Sequence, residues 1–192
     1  MHAGYDPEHD SGQVTTMRRR TLSVITVRRK PGDPRRGWLT AGPLALPVAL
    51  GRGGIRANKR EGDSGTPSGL FRPVRVWWRA DRHARPLTHL PLRRIRPDDG
   101  WCEDPAGRHY NRPVRVPPGS KADRLTRPDG LYDFIVEIDH NMRPRVAGRG
   151  SAVFIHAARA GFAPTAGCVA LNLKTLRRLL ARLGPRTRIR IA

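Results

Sequence analysis

The sequence predicts a mainly β (α+β) domain on three observations. Short apolar runs rich in Val, Ile and Trp recur along the 192 residues and are bounded by turn residues. The 20 glycines and 18 prolines interrupt the chain too often for a coiled coil or a bundle of long helices. Only one segment, at 172–183, keeps a helical period. The length fits one domain with trimmings, large enough to bury roughly 70% of its unfolded surface without a disulfide or a metal.

In chain order, residues 1–17 are polar and aperiodic, and are expected to be a disordered lead to a domain over 18–192. Arg18-Arg19-Arg20 before an apolar run has the look of an export signal. The run spans only Leu22 to Val27 before Arg28-Arg29-Lys30, against the roughly 7–15 apolar residues a signal needs. Its β-branched alternation fits a first strand instead. Further strands are expected at 38–40, 44–50, 70–78, 131–138, 151–156, 167–171 and 188–191, separated by the glycine-rich turns at 51–54, 61–65 and 141–150. Residues 79–130 read as one long irregular stretch that packs on the domain, since it carries Trp101 and Tyr110. In it Asp98-Asp99, Glu103 and Asp104 sit beside Gly and Pro and read as turn residues. The helix opens with Asn172 as its N-cap, sets Leu173, Leu176, Leu180 and Leu183 on one face against Lys174, Arg177, Arg178 and Arg182, and stops at Gly184-Pro185.

Lys+Arg number 37 against 16 Asp+Glu, a formal charge of +21. Such an excess fits an anionic-polymer partner, but the scatter of the arginines through every segment favours solvated surface side chains. The arginines are scattered rather than striped, and 6% aromatics are too few to interleave as base-stacking platforms, so no specific nucleic-acid partner is expected. No run approaches the length of a membrane span. Two cysteines, Cys102 and Cys168, are too few for a disulfide scaffold or a four-cysteine zinc site, and His83, His89, His109 and His140 lack metal-ligand spacing. No cofactor is implied.

The chemistry sits in Phe154-Ile155-His156 and Thr165-Ala166-Gly167-Cys168-Val169. A thiol is a poor nucleophile near its free pKa of about 8.5, and a nearby imidazole takes its proton and holds the thiolate. Gly167 permits a tight turn before the cysteine, and the amides of Gly167 and Cys168 are candidates to face a developing oxyanion. On residue types alone, a buried cysteine and a core histidine are the simpler account of the pair.

The wider pattern resembles the L,D-transpeptidase catalytic-domain family: a His, a short loop, then a small hydroxyl residue, any residue, Gly, Cys and an apolar residue. Upstream, Gly53-Gly54-Ile55, Lys59-Arg60-Glu61-Gly62-Asp63 and Thr66-Pro67-Ser68-Gly69-Leu70-Phe71 are similar to that family's early hairpin. Tyr110-Asn111 and the segment from Gly148 to His156 are similar to its middle and approach segments, so the resemblance spans about residues 21–192. It implies a β-sandwich or barrel-like domain and acyl transfer on peptidoglycan stem peptides through a thioester on Cys168. In that reading His156 is the base, the Ala157 carbonyl orients it, Thr165 is the small hydroxyl residue at the substrate, and Gly167 and Cys168 form the oxyanion hole. The family often carries His at the place of Ala166, and Arg or Asn at that of Ala170. With no Arg there, Arg149, Arg159 and Lys59 are the candidates to hold the substrate carboxylate. An L,D-carboxypeptidase or amidase on the same scaffold, and a non-catalytic basic polymer-binding module, are the alternatives. The family implies a periplasmic or cell-wall location, whereas the short apolar run leaves the cytoplasm open.

Overall fold

A computed structural model describes residues 20–117 and 123–192; the expected lead, residues 1–17, lies outside them. The strands in chain order are β1 Val24–Lys30, β2 Asp33–Ala41, β3 Leu44–Ala49, β4 Ile55–Arg56, β5 Thr66–Pro67, β6 Gly69–Phe71, β7 Pro73–Trp78 and β8 Leu92–Arg94. They continue as β9 Asp99–Cys102, β10 Arg112–Arg115, β11 Asp123–Arg124, β12 Phe134–Ile138, β13 Phe154–Ala157, β14 Val169–Leu171 and β15 Arg188–Ile191. The helix α1, Leu173–Leu180, lies between the last two. The molecule is mainly β, as the composition and turn pattern predict.

Ten strands form one mixed sheet in the order β6-β15-β1-β2-β3-β14-β13-β12-β7-β8. Strands β6 and β7 stand near opposite ends of that order, yet only Arg72 separates them in the chain. Consecutive Cα atoms are about 3.8 Å apart, so the sheet must curl until these strands meet. The single strand expected over 70–78 is therefore two. The chain breaks where the Arg72 amide donates to Asp139 Oδ1 at 2.7 Å, and Pro73, which has no amide proton, begins the next strand.

Strand β1 also differs from expectation. It runs on through Arg28-Arg29-Lys30, because Arg28 and Arg29 pair with Trp38 and Gly37 of β2 while their side chains stay exposed. Residues 79–130 hold β8 and a three-stranded sheet, β10-β9-β11. Asp99 is a buried strand residue there rather than a turn residue: its carboxylate accepts from Arg93 Nη2 at 3.0 Å and from the Arg96 amide at 2.8 Å. An ion pair inside a short strand leaves no hydrophobic period to read.

Helix α1 begins as expected, with Asn172 Oδ1 accepting from the Lys174 and Thr175 amides at 3.0 and 3.4 Å. It buries Leu176, Leu179 and Leu180 on the sheet against Val76, Phe134, Val136, Ile155, Val169 and Leu171. Alternation along the strands sends Trp77, Ile135, Phe154 and Cys168 to the other face, where they meet Trp101 and Leu125 beneath the small sheet. The sheet thus has a helix face and a thiol face.

Candidate active site

Strands β13 and β14 lie side by side and parallel, with Ile155 opposite Val169 and His156 opposite Ala170. A parallel pair with this register sets the beginnings of the two strands side by side. It therefore places Cys168, one residue before β14, next to Phe154 on the thiol face. The expected strand over 151–156 starts only at Phe154. Gly150 and Ala152 have φ of 95° and 50°, which bend the backbone before it.

That bend has a use. Cys168 Sγ donates to the Ala152 carbonyl at 3.2 Å and accepts from the Phe154 amide at 3.4 Å. Ala152 is held in turn by Asn111, whose Oδ1 accepts from the Ala152 amide at 3.2 Å and from Trp101 Nε1 at 3.1 Å. The Asn111 amide nitrogen donates to the carbonyls of His140 and Asn141 at 3.1 and 2.9 Å, so its hydrogen-bonding capacity is nearly filled.

His156 is buried, and its Nδ1 lies 2.8 Å from the Ala157 carbonyl. A carbonyl only accepts, so Nδ1 carries the proton and Nε2 keeps its lone pair. Tyr132 packs edge-on to the imidazole, with ring centres 5.3 Å apart. Burial lowers His156 to about 4, against the opposing pull of the Ala157 carbonyl. Burial pushes the Cys168 thiol up to about 12, opposed by the Phe154 amide and reinforced by the charges of Glu103 and Asp123. At rest the pair is therefore thiol and neutral imidazole, not the thiolate held by an imidazole that nucleophilic chemistry leads one to expect.

The loop before the thiol is tied down from inside. Thr165 Oγ1 donates to the Cys168 carbonyl at 2.7 Å and accepts from the Gly167 amide at 3.1 Å. Its hydroxyl is thus used within the loop, where the sequence pattern placed it at the substrate. The Gly167 amide, expected at the oxyanion, is spent on the same hydroxyl. Gly167 has φ of 141°, and a Cβ there would meet the Gly65 carbonyl at 2.8 Å. The loop also bridges to residues 50–52: the Thr165 amide donates to the Leu50 carbonyl at 2.9 Å, and the Arg52 amide to the Thr165 carbonyl at 3.0 Å. Thr66, in the Thr-Pro-x-Gly stretch, steadies that support by accepting from the Gly51 amide at 2.8 Å.

A groove of about 530 Å³ opens over these groups. Cys168, His156, Gly167, Thr165, Lys59 and Arg159 all line it. Arg149 does not; it is exposed, and its carbonyl faces His140 Nε2 at 3.1 Å. Lys59 is buried and largely committed, donating to Asp63 Oδ1 at 2.6 Å and to the Arg60 carbonyl at 2.7 Å. Of the two that line the groove Arg159 is the less engaged, half exposed and 3.9 Å from Asp129 Oδ2. Arg127 and Tyr132 also line the groove and carry no sequence signal. Arg127 is paired with Asp129 at 2.6 Å and stands over the Tyr132 ring at 5.2 Å.

Glu61, Glu103 and Asp123 give the groove an acidic side. Desolvation, then the charges of Asp123 and Glu61, push Glu103 up to about 7. Tyr110 ties the segments together, donating to Glu61 Oε2 at 2.5 Å and accepting from the Gly150 amide at 3.0 Å. Among the described residues no group of three or more His, Cys, Asp or Glu could hold a metal ion.

No curated protein matches the chain, and no solved structure does. The family model of the L,D-transpeptidase catalytic domain (YkuD) matches residues 31–191, which takes in β2 to β15 together with Cys168 and His156. The chain belongs to the L,D-transpeptidase catalytic-domain family.

Proposed function

We propose that the protein is a cysteine acyltransferase on peptidoglycan stem peptides, with Cys168 as nucleophile and His156 as base, and that it works in the periplasm or at the cell wall. The observation that carries the reading is the imidazole fixed by the Ala157 carbonyl at 2.8 Å, in one groove with the thiol. The neutral resting pair suits a proton transfer concerted with attack. As Sγ bonds to the carbonyl carbon before the terminal D-residue, the thiol proton passes to His156 Nε2 and the carbonyl π pair moves to oxygen. The Gly167 amide being engaged, the Cys168 amide is the remaining donor of the expected pair for that oxygen. Collapse breaks the C–N bond, the leaving amine takes the proton from Nε2, and a thioester remains. An acceptor amine then attacks the thioester, gives its proton to Nε2, and releases Sγ, which is reprotonated. Arg159 is the side chain best placed to hold a substrate carboxylate. The carboxylates of Glu61, Glu103 and Asp123 favour an ammonium-bearing acceptor, which supports transfer over hydrolysis.

The test is mass spectrometry of a tetrapeptide muropeptide incubated with the protein and a D-amino acid. Exchange of the terminal residue, lost in Cys168→Ala, is the expected result. Simple loss of that residue would make the protein a carboxypeptidase. An unchanged muropeptide with wild type would favour a binding module.

A further inference from the structure

A second groove, of about 920 Å³, lies on the helix face of the sheet. Exposed positions of α1, the β2–β3 hairpin and residues 85–87 form its walls. Five cations line it: Arg85, Lys174, Arg177, Arg178 and Arg182. Its lining includes no carboxylate. Among the described residues none of the five cations forms a salt bridge, although the same chain pairs many of its other arginines. The floor is apolar, with Leu22, Leu46, Leu173 and Leu179. Two leucines stand out beside the cations: Leu44 is 52% exposed and Leu87 is 81% exposed.

We propose that this groove is a docking site for an anionic lipid surface, with the five cations at the headgroups and Leu44 and Leu87 entering the acyl boundary. Charge complementarity sets the sign of the partner. The exposed leucines then separate a lipid surface from a purely ionic polymer, which has nothing to offer an apolar floor. Because α1 and Cys168 are on opposite faces of the sheet, a chain docked in this way presents the thiol groove away from the bilayer.

Flotation of the full chain with vesicles tests this. Vesicles with about one third phosphatidylglycerol should bind, whereas pure phosphatidylcholine should not, and binding should fade as salt shortens the screening length from about 10 Å toward 3 Å. Each cation near an anionic surface contributes about fivefold, so Lys174→Gln with Arg178→Gln should weaken binding about 25-fold. Leu87→Ser should weaken it roughly tenfold, the loss of a leucine's burial. All three side chains are exposed, and an unchanged circular dichroism melt would show that the variants fold. Arg28→Gln with Arg29→Gln, which removes two exposed charges outside the groove, should change binding far less. An equal loss in that pair would overturn the proposal in favour of diffuse charge. Unaltered binding of Leu87→Ser would overturn the lipid assignment. Failure to float, with capture of a labelled Glu- and Leu-rich peptide instead, would make the groove a protein-docking site.

Discussion

Replacing Thr165 by Val keeps the shape of the side chain and removes only its hydroxyl. In the structure that hydroxyl serves two backbone groups, the Cys168 carbonyl at 2.7 Å and the Gly167 amide at 3.1 Å. Thr165 is buried, so neither group regains water readily. Leaving a buried polar group unpaired costs about 1–3 kcal/mol, so the pair should cost roughly 2–6 kcal/mol. For a domain of this size each kcal/mol lowers Tm by about 2–4 °C, so Thr165→Val should melt roughly 4–24 °C below wild type. Thr165→Ser retains both bonds and should recover most of the loss. The assay is a calorimetric melt of the three proteins beside the muropeptide exchange reaction. If Thr165→Val melted with wild type and only raised KM, the hydroxyl would belong to the substrate, and the geometry assigned to this loop would be refuted.

Three further outcomes follow from the site. Burial of the Cys168 thiol predicts that iodoacetamide at pH 7, without an acyl donor, labels the partly exposed Cys102 first; faster labelling of Cys168, seen by peptide mass mapping, would mean a thiolate stands at rest. His156 binds its proton near pH 4 when folded and near 6.5 when unfolded, so the unfolded chain binds more protons between these values and stability should fall as pH drops through them, by roughly 3 kcal/mol in all. Urea melts across that window should show the slope, and His156→Gln should flatten it. Gly167→Ala sets a Cβ 2.8 Å from the Gly65 carbonyl at a φ of 141°, and should cost about 1–3 kcal/mol and most of the exchange activity; retention of both in a melt and a turnover assay would contradict the packing of the loop.

Much of the frame was legible because local chemistry and global fold agree there. The Asn172 cap and the leucine spacing specify α1 wherever it docks, and the alternation at Arg188–Ile191 specifies β15. The thiol and imidazole were legible through their motif, and the Ala157 carbonyl is recognised without regard to its side chain. What escaped depends on distant partners. The break at Arg72 reflects the Asp139 carboxylate 67 residues away, and β9 is held by ion pairs of Asp99 instead of an apolar period. The late start of β13 comes from the positive φ of Ala152, a residue type that gives no warning of it. Arg127 and Tyr132 come to the groove from a stretch without periodicity, and the bond between the Gly167 amide and the Thr165 hydroxyl, two groups expected to face the substrate, has no signature in the sequence.

The position of β15 has a consequence for how the chain is made. It lies between β6 and β1, running parallel to β1, and Thr187 Oγ1 donates to the Leu22 carbonyl across a separation of 165 residues. Until Arg188–Ile191 has emerged from the ribosome, one edge of β1 has no neighbour and the apolar side chains of Ile25 and Val27 lack part of their cover. The sheet therefore closes late, by a contact of high sequence separation, which slows folding and leaves an open edge meanwhile. A nascent chain stalled before Thr187 would be a target for chaperones, and deletion of Arg188–Ile191 alone would have the effect of a much larger deletion.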